Sequence, residues 1–279
     1  MSRPVLVRTM RAKERALALD WAALEGWNPG LHDARAFGMV DPDGWLIGEV
    51  DGVPVGCITA LRYDESFAFV GFYIVKPEHR GKGYGLSLWQ AAMDRVGDCN
   101  VGLDGVLAQV DNYARSGFAF AVRNARYRGA GAEDARGGTA IVTVADLPQL
   151  AAYDRTCFPA PRDAFLREWL TSPDSFSRVA RDGAEITGYG TIRRCREGWK
   201  IGPLFANDRA IAKRLFQDLR SHAAGEHIYL DVPTSNLVAV DLATESGMDV
   251  VFETARMYTR GRPAFATGRV FGVSSFELG

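Results

Sequence analysis

The chain has 279 residues, a formal net charge of −1 and 47% hydrophobic residues, which suits a soluble globular protein with room for two domains of ordinary size. Lys and Arg are spread along the chain rather than blocked, so there is no electrostatic footprint for nucleic acid. The opening MSRPVLVRTMRAKERAL has no signal-peptide apolar region, and no apolar run reaches the roughly 18 to 20 residues that span a bilayer, so a cytoplasmic protein without a membrane partner is expected.

In chain order, VLVRT reads as a strand and residues 11–24 as a helix. WLIGEV and VPVGCITALRY flank Asp51-Gly52, a favoured hairpin turn. The apolar strand FAFVGFYIV runs into PEHRGKGYG, and the helix after it carries an apolar stripe of Leu86, Trp89, Met93 and Val96. YARSGF then precedes AFAVRNARY. GAGAEDARGG, residues 129–138, holds four Gly and no apolar residue larger than Ala, and reads as a linker.

Beyond the linker the same order of signals returns, as in a duplicated domain. TAIVTV leads, residues 153–170 hold short helical stretches broken by Pro159 and Pro161, and FSRVA and ITGYGTIRR flank Asp182-Gly183. WKIGPLF, a helix bearing Ile211, Leu215 and Leu219, HIYLDV, LATESGM and VVFETARMYTRG follow. The repeat shows best in the endings, SGFAFAVRNARYRG against SGMDVVFETARMYTRG. Residues 1–128 and 139–279 are therefore read as two α+β domains, each with a mainly antiparallel mixed sheet flanked by helices. The closing RVFGVSSFELG alternates apolar residues with others and is able to add a strand to either sheet.

The four Cys have no C-x-x-C spacing and the four His no H-x-x-x-H spacing, so no disulfide framework and no metal site is expected. Cys57 and Cys99 lack a neighbouring His that would activate a thiol nucleophile.

The Gly loop Arg80-Gly81-Lys82-Gly83-Tyr84-Gly85 is the strongest chemical signal. Its spacing is neither that of a Walker A loop nor that of a dinucleotide fingerprint, since Leu86 stands where a third Gly would fall. It lies at a strand-to-helix junction, where N–H groups without intrahelical partners and the helix dipole attract phosphate oxygens. Gly at alternate positions lets the backbone curl around an anion, and Arg80 and Lys82 add formal charge. A pyrophosphate fits such a cradle.

The run Arg80-x-x-Gly83-x-Gly85 after an apolar strand resembles the acyl-CoA-binding motif of the GCN5-related N-acetyltransferases, the GNAT family. The resemblance implies a tandem bacterial arrangement with a catalytic first domain and a degenerate second one. It further implies that backbone groups of Tyr73, Ile74 and Val75 meet the pantetheine and thioester, and that amides from Gly81 to Gly85 hold the pyrophosphate of acetyl-CoA. Tyr113, ahead of Gly117-Phe118, matches the family's Tyr beside the thioester sulfur, which protonates the leaving thiolate as general acid. Glu25, Asp33 and Asp104 are the candidate bases, and Trp27, His32 and Phe37 the candidate acceptor-pocket residues. Val106 stands where the family often has an Asn that contacts CoA, with Gln109 or Asn112 as substitutes.

The second half carries the family's N-x-x-A-x-x-L spacing at Asn236, Ala239 and Leu242, but Ala243 replaces the Tyr and ANDRAIAKRLF replaces the Gly loop. The expected activity is acetyl transfer from acetyl-CoA to a primary amine of a small molecule, with no metal. Alternatives are an acyl-CoA sensor without turnover, or an acetyltransferase for protein amines or amino acids. The sequence does not name the acceptor or the oligomeric state.

Overall fold

The computed structural model describes residues 4–133 and 136–279, so residues 134 and 135 of the expected linker lie outside the described residues. In the first half the strands are β1 (Leu6–Thr9), β2 (Trp45–Val50), β3 (Val53–Arg62), β4 (Phe67–Val75), β5 (Asn100–Val106) and β6 (Ala119–Ala130). The second half contributes β7 (Ala140–Ile141), β8 (Ser175–Asp182), β9 (Glu185–Arg194), β10 (Trp199–Ala206), β11 (His227–Pro233), β12 (Asp249–Tyr258) and β13 (Val270–Gly272). Helices α1 (Arg15–Leu24), α2 (Asp33–Phe37), α3 (Tyr84–Val96) and α4 (Val110–Arg115) belong to the first half. Their counterparts in the second are α5 (Leu147–Cys157), α6 (Asp163–Leu170), α7 (Arg209–Arg220) and α8 (Leu237–Glu245).

Both expected hairpin turns are present, between β2 and β3 and between β8 and β9. In α3 the buried stripe runs through Leu88, Trp89, Ala92 and Val96 at helical spacing, against β3 and β4. Leu86, expected on that stripe, is instead 70% exposed in the first turn. The helix expected from Arg11 starts at Arg15, after a short 3-10 turn over Ala12–Glu14. TAIVTV yields a strand only at Ala140–Ile141.

Among the described residues these strands form one sheet in the order β1-β2-β3-β4-β5-β12-β6-β11-β10-β9-β8-β7, with β13 beside β10. The two long strands that end the repeated units have changed places. β12 of the second half pairs antiparallel with β5 of the first, β6 of the first pairs antiparallel with β11 of the second, and β6 and β12 pair with each other at the centre.

Each exchange is fastened by a buried ion pair from the repeated Ala-Arg dipeptide. Arg126 on β6 sits opposite Asp231 on β11 and donates to both carboxylate oxygens at 2.7 and 2.8 Å. Arg256 on β12 sits opposite Asp104 on β5 and donates to it at 2.9 and 2.5 Å. Bidentate geometry and burial fix both register and partner. The charged neighbours hold both guanidinium groups above their ordinary pKa.

The core likewise crosses the halves. Phe37, Trp45 and Phe72 pack with Trp169, Phe165, Phe276 and Leu278 in one apolar cluster.

Candidate active site

β4 and β5 run parallel and pair only from Phe67–Asn100 to Val70–Leu103, after which β4 leaves its neighbour. The departure coincides with a bulge, where the β3–β4 register shifts between Cys57/Ile74 and Thr59/Gly71 and Phe72 takes a φ of 45°. A bulky residue in that left-handed region stores backbone strain, held here by the fully packed Phe72 ring and by the Cys57 thiol, which donates to the Phe72 carbonyl at 3.3 Å. The result is a cleft of about 780 Å³ between the ends of β4 and β5.

The Gly loop forms one end of this cleft. Arg80, Gly81, Gly83, Tyr84 and Gly85 line it, Gly81 and Gly83 have φ of 74° and 85°, and a Cβ on either Gly would meet nothing within 4 Å. Gly83 is the N-cap of α3 and offers no side chain to its first turn, so the N–H groups there lack a side-chain acceptor. This is an open cradle for an anion, and the residues present fit a pyrophosphate. Arg80 is tied in by its Nε, which donates to the Val75 carbonyl at 2.8 Å, and by an ion pair with Glu25. Lys82 does not line the cleft; its Nζ donates to the Glu78 carbonyl at 2.7 Å.

Tyr73, Ile74 and Val75 form the β4 wall and Asp104, Val106, Gln109, Asn112 and Tyr113 the opposite one. Tyr113 packs on Trp89, ring centroids 5.6 Å apart, and Trp89 in turn packs on Tyr73 at 5.5 Å. A Cβ on Gly105 would collide with the Tyr113 ring, so this Gly lets the phenol lie close against β5. Burial pushes the Tyr113 hydroxyl up to about 12, which keeps it protonated and able to donate at neutral pH.

The remaining sequence candidates separate. Glu25 and Trp27 line the cleft. Asp104 lines it too, but with its carboxylate held by Arg256 and by Asn124 Nδ2 at 2.7 Å. Asp33 lies elsewhere: it is buried, accepts from the Gly30 amide at 2.8 Å and pairs with Arg193 at 2.8 Å. His32 sits beside Asp174 at 3.2 Å, and Phe37 is core, stacked on Trp169 at 5.6 Å. Cys57 and Cys157 are buried thiols whose pKa burial pushes up, so neither is poised as a nucleophile. Among the described residues no group of His, Cys, Asp or Glu is arranged to hold a metal ion.

Sequence reasoning missed a further wall. Arg126, Phe252, Thr254, Phe276 and Glu277 also line the cleft, and all but Arg126 come from the second half. The repeated Ala-Arg dipeptide was the available signal for Arg126; nothing local marks Phe276 or Glu277.

The corresponding place in the second half is filled. β10 and β11 pair in parallel from Trp199–Ile228 to Ile201–Leu230, and then β13 takes up β10 at Leu204–Gly272 and Phe205–Val270, while the Val273 amide donates to the Asp231 carbonyl at 2.9 Å. Asn236 Nδ2 holds the inserted segment by donating to the carbonyls of Gly268 and Val270 at 3.2 and 3.0 Å. At the N-terminus of α7 the Asp208 carboxylate accepts from the Ile211 amide at 2.9 Å, so a carboxylate of the chain itself already serves that helix end.

Comparison with known proteins accords with this duplicated architecture. Residues 13–118 match the model of the acetyltransferase (GNAT) family, and residues 150–272 match an acetyltransferase (GNAT) domain. The chain is 31% identical over 270 residues to the holothin acyltransferase of Pseudoalteromonas sp., covering 96% of this chain and 92% of that protein. The chain belongs to the GNAT family. Solved structures share the GNAT fold along almost its whole length. A Pyrococcus horikoshii protein superposes with a TM-score of 0.83 at 18% identity, covering 99% of this chain and 96% of its own. A tandem GNAT protein from the clavulanic acid biosynthesis pathway superposes with a TM-score of 0.61 at 14% identity, covering 94% of this chain and 100% of its own. As a GNAT protein the chain is an acyltransferase with tandem domains, and no helix among its described residues is long and apolar enough to cross a membrane.

Proposed function

We propose that the chain transfers the acetyl group of acetyl-CoA to a primary amine of a small molecule, in the cleft of the first half. The observation that carries this reading is the opening between β4 and β5, with an uncapped, positive-φ Gly cradle at one end and the protonated Tyr113 on its wall. Amides of Gly81 to Gly85 would hold the pyrophosphate, with backbone groups of Ile74 and Val75 along the pantetheine. The strand backbone near Tyr73 polarises the thioester carbonyl as a fixed dipole, and Tyr113 delivers a proton to the departing sulfur. The second half supplies walls rather than a second cofactor site, since β13 fills its opening.

The acceptor side favours a compact amine with an apolar body, because Trp27, Phe252 and Phe276 give it three aromatic walls contributed by both halves. A relative named for acyl transfer to holothin supports a small-molecule acceptor. Release of free thiol from acetyl-CoA, measured against a panel of aromatic amines, alkylamines, amino acids and peptides, tests the reading. Turnover confined to peptides would sink the small-molecule part, and no thiol release with any amine would sink catalysis in favour of an acyl-CoA sensor.

A further inference from the structure

Three acidic residues line the cleft, and they differ in what holds them. Glu25 is paired with Arg80, and Asp104 is clamped by Arg256. Glu277, 5% exposed, has no ion-pair partner among the described residues; its carboxylate accepts only from the hydroxyl of Ser275. Its place is set by β4, because the Glu277 carbonyl oxygen lies where a Cβ on Gly71 would stand, next to the Phe72 bulge at which the cleft opens. The segment carrying it is anchored on both sides: Arg162 Nη1 donates to Ser274 Oγ at 2.9 Å and the Tyr63 hydroxyl to the Leu278 carbonyl at 2.8 Å.

We propose that Glu277 is the proton acceptor for the attacking amine, a catalytic residue delivered to the first half's cleft by the segment that follows β13. This rests on amine acetylation in that cleft. As the nitrogen–carbon bond forms, the nitrogen gives up one proton to the Glu277 carboxylate. The carbon–sulfur bond breaks with its electron pair leaving on sulfur, and Tyr113 protonates that sulfur. Loss of the Glu277 proton to solvent and return of a solvent proton to Tyr113 restore both groups, so the net products are the amide and the free thiol.

The charges facing Glu277 are already engaged. Arg126 on β6 is held by Asp231, Arg193 on β9 by Asp33, and Lys200 on β10 donates its Nζ to the Asn28 carbonyl at 2.8 Å. All three feel the Glu277 charge, and none forms an ion pair with it. Glu277 therefore keeps its lone pairs for a ligand in the cleft, where an ammonium or an amine N–H is the complementary group.

The test compares the full chain with Glu277→Gln, which keeps size and hydrogen-bonding shape. Acetyl-CoA binding by calorimetry should stay unchanged while kcat drops on the order of 10²-fold. The loss should weigh more on strongly basic alkylamines than on arylamines, which are neutral in solution. Ser275→Ala, which leaves the carboxylate and removes its hydroxyl donor, should lower kcat with the same amine preference while acetyl-CoA binding holds; it decides the matter if Glu277→Gln does not fold. Wild-type kcat in either folded variant, or an equal loss with alkylamines and arylamines, overturns the proposal alone. A wild-type chain inert toward every amine overturns it together with the function on which it rests.

Discussion

The carbonyl oxygen of Glu277 occupies the position that a side chain on Gly71 would need, so the closing segment of the second half crosses β4 of the first in direct backbone contact. Gly71→Ala is expected to push that segment off the strand. Overpacking of this kind costs about 1–3 kcal/mol. It should appear as a lowered unfolding midpoint together with reduced kcat and weaker amine binding, while acetyl-CoA affinity, which depends on the other end of the cleft, holds. Equal loss of both affinities would show that the contact supports the fold generally rather than the acceptor wall.

Gly83→Asp tests the cradle. The position has a φ of 85° and open space around its Cβ, so the substitution strains the backbone without meeting the protein and sets a carboxylate where phosphate is expected. A loss of acetyl-CoA affinity of about tenfold or more, roughly 1.4 kcal/mol, is expected by calorimetry. Unchanged affinity in a folded variant would remove the pyrophosphate from this loop.

Tyr113→Phe removes one hydroxyl and keeps the ring on Trp89. Acetyl-CoA should bind as before while kcat drops on the order of 10²-fold. Because burial holds the wild-type phenol up to about 12, its proton is retained through neutral and mildly alkaline pH, and no alkaline fall in kcat should arise from Tyr113 in that range. Wild-type turnover in the variant would leave the phenol a packing residue.

Asp104→Asn leaves Arg256 buried without its counter-charge and is expected to destabilise the chain by about 3–5 kcal/mol in chemical unfolding. The double replacement Asp104→Leu with Arg256→Met should recover most of that loss, because the desolvation of both charges disappears together. If the single and double variants lost the same stability, the pair would not be what fastens β12 to β5.

Titration should find one acetyl-CoA per chain. β13 lies in the second opening, Asn236 grips that segment, and Asp208 caps α7. Binding of a second molecule would require β13 to leave β10, and two equivalents in calorimetry would show that it does.

Features governed by a few consecutive residues were legible in the sequence. The Gly loop announced a strand-to-helix junction because positive φ and an uncapped helix need Gly, and the Asp-Gly pairs announced their hairpins. Partner choice was not legible. Alternation marks β6 and β12 as strands, yet it is blind to the fact that each pairs with the other half. Asp33 and His32 were considered as acceptor-side residues of the first half alone, whereas their partners Arg193 and Asp174 lie in the second. Glu277 stayed invisible for the same reason, since a lone carboxylate in RVFGVSSFELG acquires meaning only from the groove over Gly71. Leu86 was assigned to the buried stripe on spacing, and the first turn of α3 turned it outward at the cleft rim.

The exchange of β6 and β12 gives the chain the connectivity of a strand-swapped dimer written into one polypeptide. Its second repeat is free to lose a binding site but not to be deleted. Without the second repeat, β5 presents a bare edge beside the cleft, and β6 loses both the neighbours it pairs with, β12 and β11. A gene cut at residues 131–139 would yield two fragments with complementary sticky edges, each lacking the strand the other carries. Mixing such fragments should restore a single assembly, so each repeat serves as scaffolding that the other has no means of building for itself.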